Sequence, residues 1–373
     1  MSGGVSRLQK KLSEAMTAGE YYTVHQLYRT ICFRLANQNK HDELIPLLHT
    51  GAVSLIEKGQ LSSGFDLATL LLETLLKCRV EVDNDDLLAR LKDLFARLKD
   101  DDFESATEPN PPTGAENVAA IDRGAFIQLA VRWSKQVRPQ YQYGHPNLHQ
   151  QFAWVFWQEK NFPDARYHFM LSHDSQGCAS FLIEYHLSLG YPDEVDLFIA
   201  QAVLQFLCFR KPVVASDTLR RYAADHPAIR PDSFPFVQPL LNFLWLLLVC
   251  IDTASSSNRP PNVTHFSMLV THYHISIQRD PEYRSYLDRI GQIFFGLPPP
   301  ASADGPFGGG FLQKLFSGIL GGSSEPGEDN SYDSDSDPGV SGPSSFWQST
   351  PGSAANDQCP PLSAATVTEE ELD

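Results

Sequence analysis

The sequence has no apolar run near the roughly 20 residues that a membrane span requires. Its most lipid-like stretch, Phe243 to Ile251, grows to only about a dozen residues when Leu240 and Leu241 are added. A core helix of a soluble protein is expected there, with no direct membrane insertion. The opening MSGGVSRLQKK is also without an apolar run, so no secretory leader is expected. Cysteine is sparse: Cys32, Cys78, Cys178, Cys208, Cys250 and Cys359 are scattered, with no Cys-x-x-Cys pair. That spacing argues against a disulfide framework and for buried free thiols in a reducing compartment. Positive charge is missing after Lys314, where Glu and Asp supply eleven negative charges. Removing those eleven from the net charge of −16 leaves the preceding body at −5. A body this mildly acidic is a poor non-specific nucleic-acid binder. Strand signals are absent throughout.

What the chain does have is helical periodicity. From Asp193, the residues Val195, Phe198, Ile199, Ala202, Val203, Phe206 and Leu207 trace one continuous helical face. Leu197, Ala200, Leu204 and Cys208 make the other side apolar, leaving Asp196, Gln201 and Gln205 as polar breaks. A helix apolar nearly all round must be covered on both sides, so it is expected to form the spine of a layered helical stack. Ahead of it the pattern gives a segment from Asp164 to Met170 and a helix from about Gln176 to Leu189. Ser175 is placed to cap that helix and Gly190 to end it.

Earlier helices are expected at Val5 to Met16, from Gly19 onward, and at His41 to Lys58 with a kink near Pro46. Others follow at Ser62 to Lys77, Asp83 to Leu98 and Ala119 to Gln136. The acidic, turn-rich 101–114 reads as a surface loop, and RPQYQYGHP at 138–146 as the joint between two lobes. The second lobe then holds Leu148 to Glu159, the spine, Ser216 to Ala224, Phe236 to Ile251, Val263 to Gln278 and Pro281 to Phe295, with a polar loop at 252–262. A loose motif opening at Gly19, Gly59, Asn161 and Gly190 recurs every thirty to forty residues, around the period of tetratricopeptide hairpins. The expected fold is all-α: a TPR-like α-solenoid of stacked hairpins in two lobes, 1–138 and 139–296. Residues 297–373, rich in Pro, Gly, Ser and acid, are expected to be disordered. One amphipathic island at 311–320 fits docking on a partner or the parent body, and Ser331 to Asp337 is a solvating acidic tract that could accept phosphates.

No catalytic motif emerges. His145 and His149 have the i, i+4 spacing of a zinc helix, but Pro146 and Asn147 occupy the glutamate position and a third ligand is missing. His168, His173, Asp174 and Ser175 match a triad only by composition, because such close neighbours cannot adopt its geometry. His272 and His274 should face opposite ways on one helix, and the glycines at 308–310 lack the Lys-Ser/Thr of a phosphate loop. No metal or cofactor is expected. The first two helices do have a basic side, formed by Arg7, Lys10, Lys11, Arg29, Arg34 and Lys40. It is either a solvated face or a dock for an acidic partner, with Asp66, after a turn at Gly64, as an acidic specificity contact.

Several stretches together resemble the Golgi-to-ER traffic protein four family: GEYYTVHQLYRT at 19–30, GHPNLH at 144–149, ARYHFMLSHD at 165–174, VDLFIAQAVLQFLC at 195–208, PLLNFLWLLL at 239–248, YLDRIGQIFFGLPP from 286 and FLQKLFSGILGG at 311–322. The resemblance covers about residues 5–322. It implies a cytosolic, non-enzymatic adaptor in the delivery of tail-anchored membrane proteins to the endoplasmic reticulum. The amino-terminal lobe would dock a homodimeric targeting ATPase. The carboxyl-terminal lobe would hold a ubiquitin-like-domain protein or a BAG-family chaperone scaffold. Carried over by position, Lys10 and Arg34 fall at basic docking positions and Asp66 at an acidic regulatory one, while Ser6 and Asn37 stand where a fungal member has cations. Phe236, Leu240, Phe243, Tyr273 and Leu287 are candidates for the second partner, with a core role as the alternative for each. Fungal relatives carry a partner-gripping hairpin at the place of loop 252–262. The rival readings are a TPR-like scaffold of another cytosolic assembly, such as a proteasome-related complex, and a hydrolase or metalloenzyme on the histidine-bearing spine.

Overall fold

The computed structural model describes residues 3–99, 122–257 and 262–298, and the described residues are helical without a strand. The loop 101–114, the glycines 308–310, the island 311–320 and the tail beyond residue 298 lie outside them, as do 258–261. The described residues all fall within the first of the chain's two units, residues 1–322. In the first unit, α1 (Gly3–Ala18), α2 (Tyr21–Asn37), α3 (His41–Glu57) and α4 (Leu61–Cys78) run as successive antiparallel hairpins, followed by α5 (Asp85–Arg97) and α6 (Arg123–Val137). Then come α7 (Pro146–Gln158), α8 (Phe162–Leu171), α9 (Ser175–Leu189), α10 (Val195–Cys208) and α11 (Pro212–Asp225). The last are α12 (Pro239–Ser257), α13 (Val263–His272), α14 (His274–Ile277) and α15 (Glu282–Phe294).

The hairpins share one turn. Gly19, Asn39, Gly59 and Arg79 all have left-handed backbones, with φ of 75°, 54°, 73° and 49°. Their numbers put them 20 residues apart. In the next residue the N–H reaches back to close the helix before it: Glu20 to Ala15, Lys40 to Leu35, Gln60 to Leu55 and Val80 to Leu75, at 2.9–3.2 Å. This is the Schellman arrangement, which satisfies carbonyls that a helix end would otherwise orphan. Asn161 and Lys211 repeat it after left-handed Lys160 and Arg210. Close approach needs glycine at two other places. A Cβ on Gly51 would stand 2.7 Å from the Tyr28 ring, and one on Gly64 would stand 2.5 Å from Ile56 Cγ1.

α10 is the expected spine, packed by α8, α9, α11, α12 and α15. Val195, Ile199, Ala202, Val203, Phe206 and Leu207 are all buried, and so are Ala200 and Leu204 behind them. Its polar breaks are accommodated individually: Asp196 accepts from Arg279 Nη1 at 2.6 Å, and the Gln205 amide donates to the Tyr286 hydroxyl at 3.0 Å. One hydrophobic cluster runs from Leu12 to Phe295. Around 138–146, Arg138 pairs with Asp83 and Glu81, His145 Nε2 meets Asp83 at 3.0 Å, and α7 packs on α5.

Four local expectations need correcting. The cap of α9 is Asp174, which accepts from the Gly177 N–H at 2.8 Å, while Ser175 is the first helical residue. A carboxylate reaches that N–H, whereas the Ser175 hydroxyl is already donated to Asp217. Gly64 makes no turn; it lies inside α4, and Gly59 turns the chain. The single helix expected at 263–278 breaks at Tyr273, where the His274 ring Nδ1–H donates to the Thr271 carbonyl at 3.0 Å. His272 and His274 thus sit on two helices. Finally, α12 continues to Ser257, so the first half of the expected loop 252–262 is helix.

Candidate docking surfaces

The histidines of the spine do not assemble a reactive centre. His145 caps α7, its Nδ1 accepting from the Asn147 N–H at 3.3 Å. His149 and His168 pair with each other, Nδ1 to Nδ1 at 2.8 Å. Asp174 is occupied by its own cap and by the Trp154 indole and Gln150 amide, each donating at 3.0 Å. His173 stands exposed. Burial holds His149 down to about 4 and His168 well below the ordinary imidazole range, so both are neutral and structural. The thiols Cys32 and Cys208 are pushed up to about 12 by burial, as unreactive core groups are. Among the described residues no three His, Cys, Asp or Glu side chains come together as a metal site.

Two surfaces remain. On the first, α1 buries Leu12 and Ala15 and leaves Arg7, Lys10 and Lys11 exposed. The second helix, α2, buries Val24, Tyr28, Ile31, Cys32 and Leu35. Its outer side shows Tyr22 at 79% and Phe33 at 69% exposure, eleven residues and three turns apart, with Arg29 between them and Arg34 beside Phe33. Not every cation is available. Arg29 donates twice to the Asp66 carboxylate, at 2.7 and 2.9 Å, and His25 Nε2 lies 2.7 Å from the same group. Lys40 pairs with Glu43 at 2.8 Å. Asp66 is thus a bracket from α4 onto α2 that fixes Arg29, and Arg7, Lys10, Lys11 and Arg34 are left as the outward charge. The exposed aromatics escaped the sequence reading because a helix pattern does not reveal which apolar residues stay uncovered.

The second surface is an open groove of 710 Å³ between α12 and α13, lined by Leu246, Cys250, His265, Met268, Leu269 and Tyr273 among others. Met268 is 64% exposed, and Ile275 nearby on α14 is 72% exposed. Of the five residues expected to meet a second partner, Tyr273 alone lines this groove, its ring 5.9 Å from that of Phe243. Phe236, Leu240, Phe243 and Leu287 are between 0 and 6% exposed. They are buried core residues, which no partner reaches without repacking. Sequence periodicity marked them as apolar but could not tell core from rim.

The comparisons agree with this architecture. The family model Golgi to ER traffic protein 4 matches residues 38–320. The Golgi to ER traffic protein 4 homolog of Bos taurus is 42% identical over 332 residues, covering 89% of this chain and 92% of its own length. The Homo sapiens homolog is 41% identical over the same shares. The crystal structure of C. therm. Get4 superposes with a TM-score of 0.65 at 20% identity, covering 86% of this chain and 97% of that one, and so supports the fold. No described helix is long and apolar enough to cross a membrane. With its left-handed hairpin turns, its buried spine and its match to that model over most of its length, this chain belongs to the Golgi to ER traffic protein 4 family.

Proposed function

We propose that this chain is a cytosolic, non-enzymatic adaptor that helps deliver tail-anchored membrane proteins to the endoplasmic reticulum. The α1–α2 face docks a homodimeric targeting ATPase through Lys10 and Arg34, with Tyr22 and Phe33 as apolar anchors. Asp66 tunes the contact by holding Arg29. The α12–α13 groove holds a ubiquitin-like-domain protein or a BAG-family scaffold, with Tyr273 and Met268 at the contact. Bringing two partners onto one scaffold turns transfer between them into an effectively intramolecular event, raising the local concentration to roughly millimolar. The observation that carries this reading is the outer side of α2, where Tyr22, Phe33 and Arg34 stand exposed, in a chain of this family. Aromatic anchors and rim cations are what protein interfaces use for energy and for steering, respectively.

The test is a pair of binding measurements on a Lys10→Glu, Arg34→Glu variant. ATPase affinity should fall by about tenfold or more at low salt while the groove partner stays bound. Equal ATPase binding by wild type and variant at low salt would exclude this surface.

A further inference from the structure

We infer that a cationic pocket at the α10–α11 turn binds a phosphoryl group. The pocket has a volume of 410 Å³ and is walled by the 140–146 segment, the end of α8, the α10–α11 turn and α15. Arg210, Lys211, Arg289 and His173 line it, and no carboxylate does. That imbalance contrasts with the rest of the body, where arginines commonly meet acids. Arg97 meets Asp93 and Glu57, Arg123 meets Glu159, and Arg138 meets Asp83 and Glu81. Arg210 and Arg289 are exposed and make no ion pair among the described residues.

Lys211 fixes the floor of the site. Its ammonium donates to the carbonyls of Met170, Leu171 and Ser172 at 3.2, 2.7 and 2.9 Å, which uses all three of its protons at the end of α8. Burial pushes its pKa down to about 8, opposed only in part by the nearby Cys178 thiol. It therefore contributes positive potential but no free donor. The two guanidinium forks remain as ligating groups, on elements almost eighty residues apart in the chain, beside the side chains of Tyr141 and Gln142. One carboxylate would neutralise only one of three cations. A phosphate monoester brings about two negative charges and three acceptor oxygens, which matches two forks over a cationic floor. Its source is either a phosphorylated serine or threonine on a peptide or free inorganic phosphate, since both present the same oxygens.

The experiment uses the full chain and fluorescence anisotropy at about 150 mM salt. The probe is a labelled phosphoserine peptide with neutral flanks, run beside its unphosphorylated twin. The phosphopeptide should bind and the twin should not. Arg210→Gln and Arg289→Gln should each weaken binding by about tenfold, the worth of one charge-assisted hydrogen bond. Arg289→Lys should recover part of the loss, because it restores charge without the fork. Displacement of the probe by millimolar phosphate would assign the site to the free anion, and a clear preference for the phosphopeptide would assign it to a modified chain. Both arginines are exposed, so unchanged melting curves will show that the variants are folded. Equal binding of the two peptides, no binding of either phosphate form, or insensitivity to both substitutions would each overturn the assignment.

Discussion

Acidification from about pH 7.5 to about pH 5 should weaken the fold through two buried histidine pairs. The Tyr143 carbonyl accepts from His149 Nε2–H at 3.0 Å, so neutral His149 has a bare Nδ1, which accepts from His168 Nδ1–H at 2.8 Å. The second pair follows the same logic. His186 Nε2–H donates to the Tyr191 carbonyl at 2.9 Å, its Nδ1 accepts from His226 Nε2–H at 3.0 Å, and His226 Nδ1 accepts from the Ala228 N–H at 3.1 Å. A further proton on His149 or His226 would set two N–H groups against each other. Burial holds each of these two at about 4, against about 6.5 in an unfolded chain. Between those values the unfolded chain binds more protons, so stability is fully present above about pH 6.5 and is lost as the pH falls toward 4. At pH 5 the loss is about 2 kcal/mol for each residue and about 4 kcal/mol for both, a large part of a typical stability of about 5–15 kcal/mol. Urea unfolding followed by circular dichroism at the two pH values measures it. A His149→Gln variant keeps an amide N–H for Tyr143 but cannot titrate. It should start less stable, yet lose about 2 kcal/mol less than wild type on acidification. An identical drop in wild type and variant would refute the reasoning.

Other perturbations follow from the packing. Gly51→Ala should cost about 1–3 kcal/mol in thermal unfolding, because the new Cβ meets the ring of Tyr28, itself only 5% exposed and unable to swing away. Arg279→Ala leaves Asp196, 2% exposed, without its ion-pair partner and should cost about 3 kcal/mol, read as a lower urea midpoint at unchanged slope. Leu240→Ala should cost about 2–5 kcal/mol of stability, as a core truncation does. Met268→Glu should leave the melting temperature nearly unchanged while weakening the groove partner, and a pull-down at matched protein concentration separates the two.

The spine was legible because α10 is apolar nearly all round, a pattern that only a covered helix can sustain. The repeat was legible only in part. Gly19 and Gly59 stand out in sequence, but Asn39 and Arg79 occupy the same left-handed turn without advertising it, so a spacing of twenty residues read as about forty. The reading of Lys10 and Arg34 as surface cations needed only their place on an amphipathic helix. That Arg29 and Lys40 are already paired needed α4 and the neighbouring turn of α3, since Asp66 is 37 residues from Arg29 in sequence.

The order of apolar and polar residues therefore determined an all-helical stack with a buried centre, because helical periodicity is local and each helix carries its own record of which side is to be covered. Which of those covered residues form a core and which stay at a rim was decided by tertiary packing. Phe243 and Tyr273 illustrate it: both are aromatic, yet one is wholly buried and the other lines a groove. Burial is a property of neighbours brought from far along the chain, and so is charge pairing. The acid-free pocket around Arg210 and Arg289 exists only once α15 returns to the α10–α11 turn.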